Sequence, residues 1–112
     1  MIRGHVYILC NYSRTVLYTG VTGNLRDRIL RHKVEEGSKF ASKFKCKYLL
    51  HFEDFQDMRQ AIDREKQLKN WHREWKFNLV KENNPSLFDL AHDWFDEETL
   101  ENAKLGFSNG NL

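Results

Sequence analysis

Apolar and polar residues change period several times along this chain. Residues 5–10 (HVYILC) and 15–20 (TVLYTG) are short runs rich in β-branched and aromatic side chains, and residues 11–14 between them have turn composition. Such a pair predicts a β-hairpin. From residue 24 to 33 apolar positions recur at helical spacing, with Thr22 or Asn24 as a polar start and Gly37 just beyond the end, so a first helix follows. Residues 38–44 are polar and basic and read as a loop, and residues 45–53 (KCKYLLHFE) as a third strand. Residues 57–70 place Met58, Ala61, Ile62, Glu65 and Leu68 at helical spacing, and residues 71–82 continue helically until Asn84-Pro85 stops the run. The pattern fits one bent helix or two. Residues 86–95 are amphipathic, 97–104 read as a weak acidic helix, and 105–112 as a frayed end. The order β-β-α-β-α-α predicts an α+β fold, a small antiparallel sheet with helices packed on it.

With 112 residues and 40% of them apolar, the chain supports one hydrophobic core and is too apolar for a disordered protein. No apolar run approaches the roughly 18 residues that span a bilayer, and the first residues lack the apolar stretch of a signal peptide. A cytoplasmic protein without membrane partners is expected. Cys10 and Cys46 have no C-x-x-C neighbour and read as reduced thiols in or near the core.

Charge changes the picture. Residues 1–82 carry 17 basic and 10 acidic side chains, net +7, whereas residues 83–112 carry 1 and 6, net −5. A basic body with an acidic tail suits a surface that binds a polyanion.

Several polar residues fall where the helical pattern calls for apolar ones. Arg28 and His32 flank the Leu25–Ile29 stripe of the first helix, four residues apart and so on one face. They either converge on one anion or, separately, snorkel beside the core and sit as a satisfied imidazole. Glu65 lies inside the apolar stripe of the next helix. A carboxylate there needs compensation, either from Lys69 at i+4 or through a functional role, most simply as a metal ligand. Asn78 falls among Trp71, Trp75 and Leu79, so its amide either ties helix to sheet or points at a ligand. Strand alternation sets Tyr7 opposite in face to Cys10 and puts Tyr18 on the face of Gly20. The chain has no P-loop, no G-x-S-x-G and no Cys-His ligand spacing. Two tyrosines, an Arg-His pair, an isolated carboxylate and a polar amide suit phosphodiester chemistry with one divalent cation.

The same residues carry a resemblance. His5-Val6-Tyr7 stands in place of Gly-Ile-Tyr and Tyr18-Thr19-Gly20 in place of Tyr-Ile-Gly. Val21 through Arg28 follow, then His32, then Ala61-Ile62-Asp63-Arg64-Glu65, and the run from Trp71 closes with Asn84-Pro85-Ser86-Leu87-Phe88-Asp89-Leu90. In this order they resemble the GIY-YIG nuclease superfamily, in particular its small stand-alone bacterial members, over roughly residues 4–90.

The resemblance implies a three-stranded antiparallel sheet flanked by helices, in a nuclease domain over residues 1–90. Residues 91–112 would then be an acidic extension, partly disordered. It further implies an endonuclease that cleaves DNA with Mg²⁺ or Mn²⁺, as in DNA repair or processing. Carried over by motif position, Tyr7 and Tyr18 would be the paired tyrosines, Arg28 the phosphate-binding arginine, His32 the helix histidine and Glu65 the metal ligand. The amide would be Asn78, with Asn70 as the alternative. Tyr7 would act as the base, its phenol acidified by Arg28 and the cation, with Tyr18 and His32 orienting it or relaying the proton. Lys39, Lys43, Lys45, Lys47, Lys69, Arg73 and Lys76 would meet the phosphate backbone. The rival is a catalytically inactive nucleic-acid-binding module of the same fold.

Overall fold

In the computed structural model, which describes residues 3–108, the chain runs β1 (Gly4–Cys10), β2 (Leu17–Thr22), α1 (Leu25–Lys33), α2 (Lys39–Lys43), β3 (Tyr48–Phe55), α3 (Met58–Lys69), α4 (Arg73–Asn83) and α5 (Glu97–Ser108). The strands form one antiparallel sheet in the order β2-β1-β3. The α+β fold and the three-stranded sheet are as the sequence implies.

Alternation along the central strand divides the core in two. Tyr7 and Leu9 of β1 pack with Leu25 and Ile29 of α1, Ala41 of α2, Cys46 and Leu49. Val6, Ile8 and Cys10 face the other way, against Leu50 of β3, Ala61 and Leu68 of α3 and Val80 of α4. A strand buried on both faces needs apolar residues at every position, and β1 has them from Val6 to Cys10. Both cysteines are buried and free. Side chains start four of the helices: Asn24 accepts from Asp27 N–H at 3.1 Å, Ser38 from Ala41 N–H at 3.0 Å, Asp57 from Arg59 N–H at 2.9 Å and Asp96 from Thr99 N–H at 2.7 Å. Each such cap stabilises by about 1 kcal/mol.

The element boundaries differ from the sequence pattern at instructive places. β2 does not stop at Gly20 but runs on to Thr22, with Val21 paired to Val6 and Thr22 to His5. Residues 38–44 are not a loop: the Ser38 cap starts the short helix α2, which buries Ala41 and leaves Phe40 and Phe44 exposed. Helices α3 and α4 are separate, with Asn70 closing the first and His72 opening the second. Residues 86–95, amphipathic in sequence, run through turns and bends. The acidic helix passes Lys104 and continues to Ser108; the rest of the expected frayed end lies outside the described residues.

Two buried polar side chains account for those turns. Asn84 donates its amide to the carbonyls of Leu50 (3.1 Å) and Phe88 (2.8 Å) and accepts from Phe88 N–H (3.0 Å). Asp89 accepts from the backbone N–H groups of Leu49 (2.9 Å) and Ala91 (3.0 Å) and pairs with Lys33. Leu90 N–H adds a bond to the Leu49 carbonyl at 2.8 Å. The segment therefore covers β3 at Leu49 and Leu50, near the start of the strand. β2 ends the sheet on the other side.

α5 packs against α1, where Arg26 donates to the Trp94 carbonyl at 2.7 Å and sits 4.7 Å from the Phe95 ring centroid. Among the described residues no helix is long and apolar enough to cross a membrane.

Candidate active site

Tyr7 and Gly20 are cross-strand partners, and a side chain at position 20 would have its Cβ 2.4 Å from the Tyr7 hydroxyl and ring. Gly20 is thus a strand residue because the Tyr7 ring lies over it. Tyr18, the partner of Leu9, stands on the same face with its ring centroid 6.2 Å from that of Tyr7. From α1, His32 reaches down between them. Its Nε2 shares a 2.9 Å hydrogen bond with the Tyr7 hydroxyl, and its ring centroid is 5.5 Å from both phenol rings. Gly37 leaves room for the imidazole, since a Cβ there would fall 2.3 Å from Nδ1. The α1 periodicity that put Arg28 and His32 beside the apolar stripe is the one observed: His32 is 2% exposed and Arg28 half-buried.

Electrostatics in this cluster correct one expectation. Burial pushes the Tyr7 phenol above its ordinary value near 10, and Tyr18 adds to the rise; the Arg28 guanidinium pulls the other way without prevailing. Tyr7 is therefore a neutral phenol at neutral pH, not one acidified by Arg28. His32 is pushed down to about 4, by burial first and by Arg28 second, so it is a neutral imidazole. Among the described residues, the buried His32 Nδ1 and Thr19 Oγ1 make no hydrogen bond. Thr19, where the motif has Ile, faces α3 beside its partner Ile8.

Glu65 lies in α3 with its side chain 15% exposed and forms an ion pair with Lys69, 3.3 Å away. The i+4 partner foreseen from sequence is thus present. Lys69 also borders a hollow of about 330 Å³ along the β2 edge, whose lining includes Tyr18, Thr19, Phe40 and Lys76. A second hollow, of about 360 Å³, shares Leu17, Phe40 and Lys76 with it and adds Trp71 and Arg73. Through Tyr18 this edge opens onto the tyrosine-histidine cluster, and through Lys69 it adjoins Glu65.

The remaining assignments scatter. Asn78 is exposed on α4, so it is not the buried amide its spacing suggests, and its face also leaves Trp75 53% exposed. Asn70 is exposed as well. The buried amide is Asn84, which the sequence pattern treats only as a helix stop and which holds backbone rather than a ligand. The basic residues divide: Lys69, Arg73 and Lys76 line the β2 edge, whereas Lys39 and Lys43 line a separate concavity of about 510 Å³ together with Glu35 and Glu36. Lys47 pairs with Glu35 at 3.6 Å, and Lys45 is an exposed residue with a left-handed backbone at φ 56°. Missed from sequence were the room that Gly37 leaves for His32 and the pair Phe40 and Phe44; the sole signal for the latter was aromatic residues four apart within a basic stretch.

Among the described residues no group of three or more His, Cys, Asp or Glu gathers to hold a metal. A lone carboxylate still fits a hard cation that keeps most of its waters, as Mg²⁺ or Mn²⁺ does, and does not fit a zinc site built from nitrogen and sulfur ligands.

A hairpin tyrosine pair stands with a helix histidine and arginine on a three-stranded sheet whose open edge is basic, in an α+β domain. The family described as the GIY-YIG catalytic domain matches residues 3–78, and this chain belongs to it. A GIY-YIG domain points to a nuclease, and a nuclease to DNA as its substrate; nucleases of this family generally depend on a divalent metal. The chain is similar to small stand-alone proteins named UPF0213. It is 31% identical to that of Pediococcus pentosaceus over 80% of this chain and 95% of the relative. To that of Haloquadratum walsbyi it is 36% identical, over 70% and 86%, and to that of Syntrophus aciditrophicus 33%, over 74% and 95%. No solved structure matches the chain.

Proposed function

We propose that this protein is a divalent-metal-dependent endonuclease that hydrolyses DNA phosphodiester bonds in repair or processing, selecting DNA by structure rather than by sequence. The observation that carries the reading is the Tyr7–His32 hydrogen bond, set beside Tyr18 and Arg28 where the cluster meets the basic β2 edge.

Hydrolysis requires that a water lose a proton, attack phosphorus in line and expel an alkoxide. Neutral Tyr7 does not take that proton as a phenolate. As its hydroxyl proton passes to His32 Nε2, it accepts the proton of the attacking water, so the pair acts as a relay whose terminal acceptor is the neutral imidazole. Tyr18, beside both rings, orients the water. Arg28 offers two donors in a fork to the phosphoryl oxygens, where charge develops. Glu65 and its retained waters would hold the cation, and Lys69 would turn from the carboxylate to a phosphate. When bound there, the cation would supply Lewis-acid chemistry to the phosphoryl group.

One observation favours the inactive module instead: Glu65 is already paired with Lys69. Turnover of a plasmid or branched DNA with and without Mg²⁺ decides. The active reading expects cleavage that disappears, by roughly 100-fold or more, in Glu65→Ala. Cleavage in Mg²⁺ by Glu65→Ala at the wild-type rate would reject Glu65 as the metal ligand, and a wild-type protein that binds DNA without cutting it would establish the module.

A further inference from the structure

Two rings stand in water at α2, Phe40 within the helix and Phe44 at its C-cap, although the helix is only five residues long. Phe40 is 48% exposed and Phe44 39%, with their centroids 4.7 Å apart. Phe40 is also stacked on Tyr18, at 6.0 Å between centroids and 25° between planes, so the exposed rings continue the aromatic surface of the site itself. Both hollows along β2 include Phe40, and their cations are Lys69, Lys76 and Arg73. Lys43 lies 5.5 Å from the Phe44 centroid. Aromatic rings bordered by cations are the recognition surface of unpaired nucleotides: a base stacks on the ring while its phosphates meet the charges. In a duplex the base faces are hidden in the stack, and a ring at the rim of a groove has nothing to cover it. Burial and the neighbouring Lys69 push the Lys76 ammonium down, a condition that a phosphate between the two lysines relieves. Each hollow is near the lower end of the size of small-ligand sites, which suits one nucleotide rather than a double helix.

We propose that Phe40 and Phe44 form a ledge on which an unpaired nucleobase stacks beside Tyr18, with Lys69, Lys76 and Arg73 on the flanking phosphates, so that the strand entering the site is single there. This deepens, and rests on, the reading of the domain as a DNA-cutting enzyme.

Binding measured in EDTA, where metal-dependent cutting cannot intervene, separates the two. The probes are a roughly 12-nucleotide oligothymidylate carrying one 2-aminopurine and a duplex of the same length. The wild type is expected to bind the single strand more tightly than the duplex and to change the 2-aminopurine emission. Phe40→Leu should weaken single-strand binding about tenfold and abolish the emission change, with duplex affinity within about twofold of wild type; Phe40→Trp should restore both signals. Equal affinity for the two probes, unaltered in Phe40→Leu, would overturn the ledge while leaving the nuclease reading standing. Failure of the wild type to bind either DNA even at low salt would overturn both. Because Phe40 is half in water, melting of Phe40→Leu at the wild-type temperature confirms that a lost signal is not lost fold.

Discussion

The two edges of the sheet are built on opposite plans. At the β3 edge, Asn84 and Asp89 are buried and spend every bond they make on backbone groups and one lysine, so the backbone groups of Leu49 and Leu50 are closed. At the β2 edge, the strand is left beside hollows lined by Lys69, Arg73 and Lys76, with Tyr18 and Phe40 in view. An open, flat edge invites pairing with other chains, and positive charge is one of the means by which it is kept apart. Here the same charge suits a nucleic acid. Buried polar groups on one side thus hold the fold, while on the other basic and aromatic side chains line open hollows.

This contrast predicts that variants of the two edges separate activity from stability. The largest effect is expected in the tyrosine-histidine cluster, which Tyr18 joins to the β2 edge. Arg28→Lys keeps a charge but loses the fork, and initial cleavage rates should fall about 100- to 1000-fold. Its thermal midpoint should stay near that of the wild type, because Arg28 is a half-buried surface residue of α1. A midpoint lowered as much as the activity would show that the two edges are not distinct.

On the β3 side, Asp89→Ala leaves the N–H groups of Leu49 and Ala91 and the charge of Lys33 without their partner. Urea unfolding should reveal a loss of about 3 kcal/mol, with cleavage per folded molecule retained. Full stability in this variant would mean that the segment after Pro85 does not hold the β3 edge.

A third test sharpens the comparison by pH. His32 sits at about 4 in the folded chain, below the ordinary 6.5, so between those values the unfolded state binds more protons and stability falls as the pH drops. The loss should reach about 3 kcal/mol by about pH 4, and His32→Gln should lack it. Glu53 of β3 behaves in a lower window. The His51 hydrogen bond, followed by Arg64, outweighs burial and holds its carboxyl at about 2, so its contribution is complete above the ordinary 4.5 and is lost as pH falls toward 2. Denaturant unfolding across pH 7.5 to 3 should therefore show His32 titrating before Glu53; an identical wild-type and His32→Gln profile above pH 4 would contradict the burial of a neutral imidazole.

Much of this organisation is legible in the residues, for local reasons. Helical spacing alone put His32 and Glu65 among apolar positions, and both are largely buried. The spacing of Asn78 misled because α4 is covered on a narrow side, through Val80, while the face bearing Asn78 and Trp75 meets solvent. Gly20 reads as the end of a strand, and only the approach of the Tyr7 ring from the neighbouring strand explains why a glycine continues β2. The helix α2 was hidden by its polar composition, since one serine cap and one buried alanine suffice for five residues.

The sequence by itself determined the elements that depend on neighbours in the chain: the hairpin, the two main amphipathic helices, and the order of tyrosines, arginine, histidine and glutamate that marks the family. Tertiary structure alone decided what each polar group faces. It set the Tyr7 phenol high and the His32 imidazole low, because both are buried. It gave Asn84 and Asp89 backbone to hold, and it joined Phe40 to Tyr18 across residues distant in the chain. Periodicity reports which side of an element is buried, whereas desolvation and pairing depend on what the rest of the fold brings against that side.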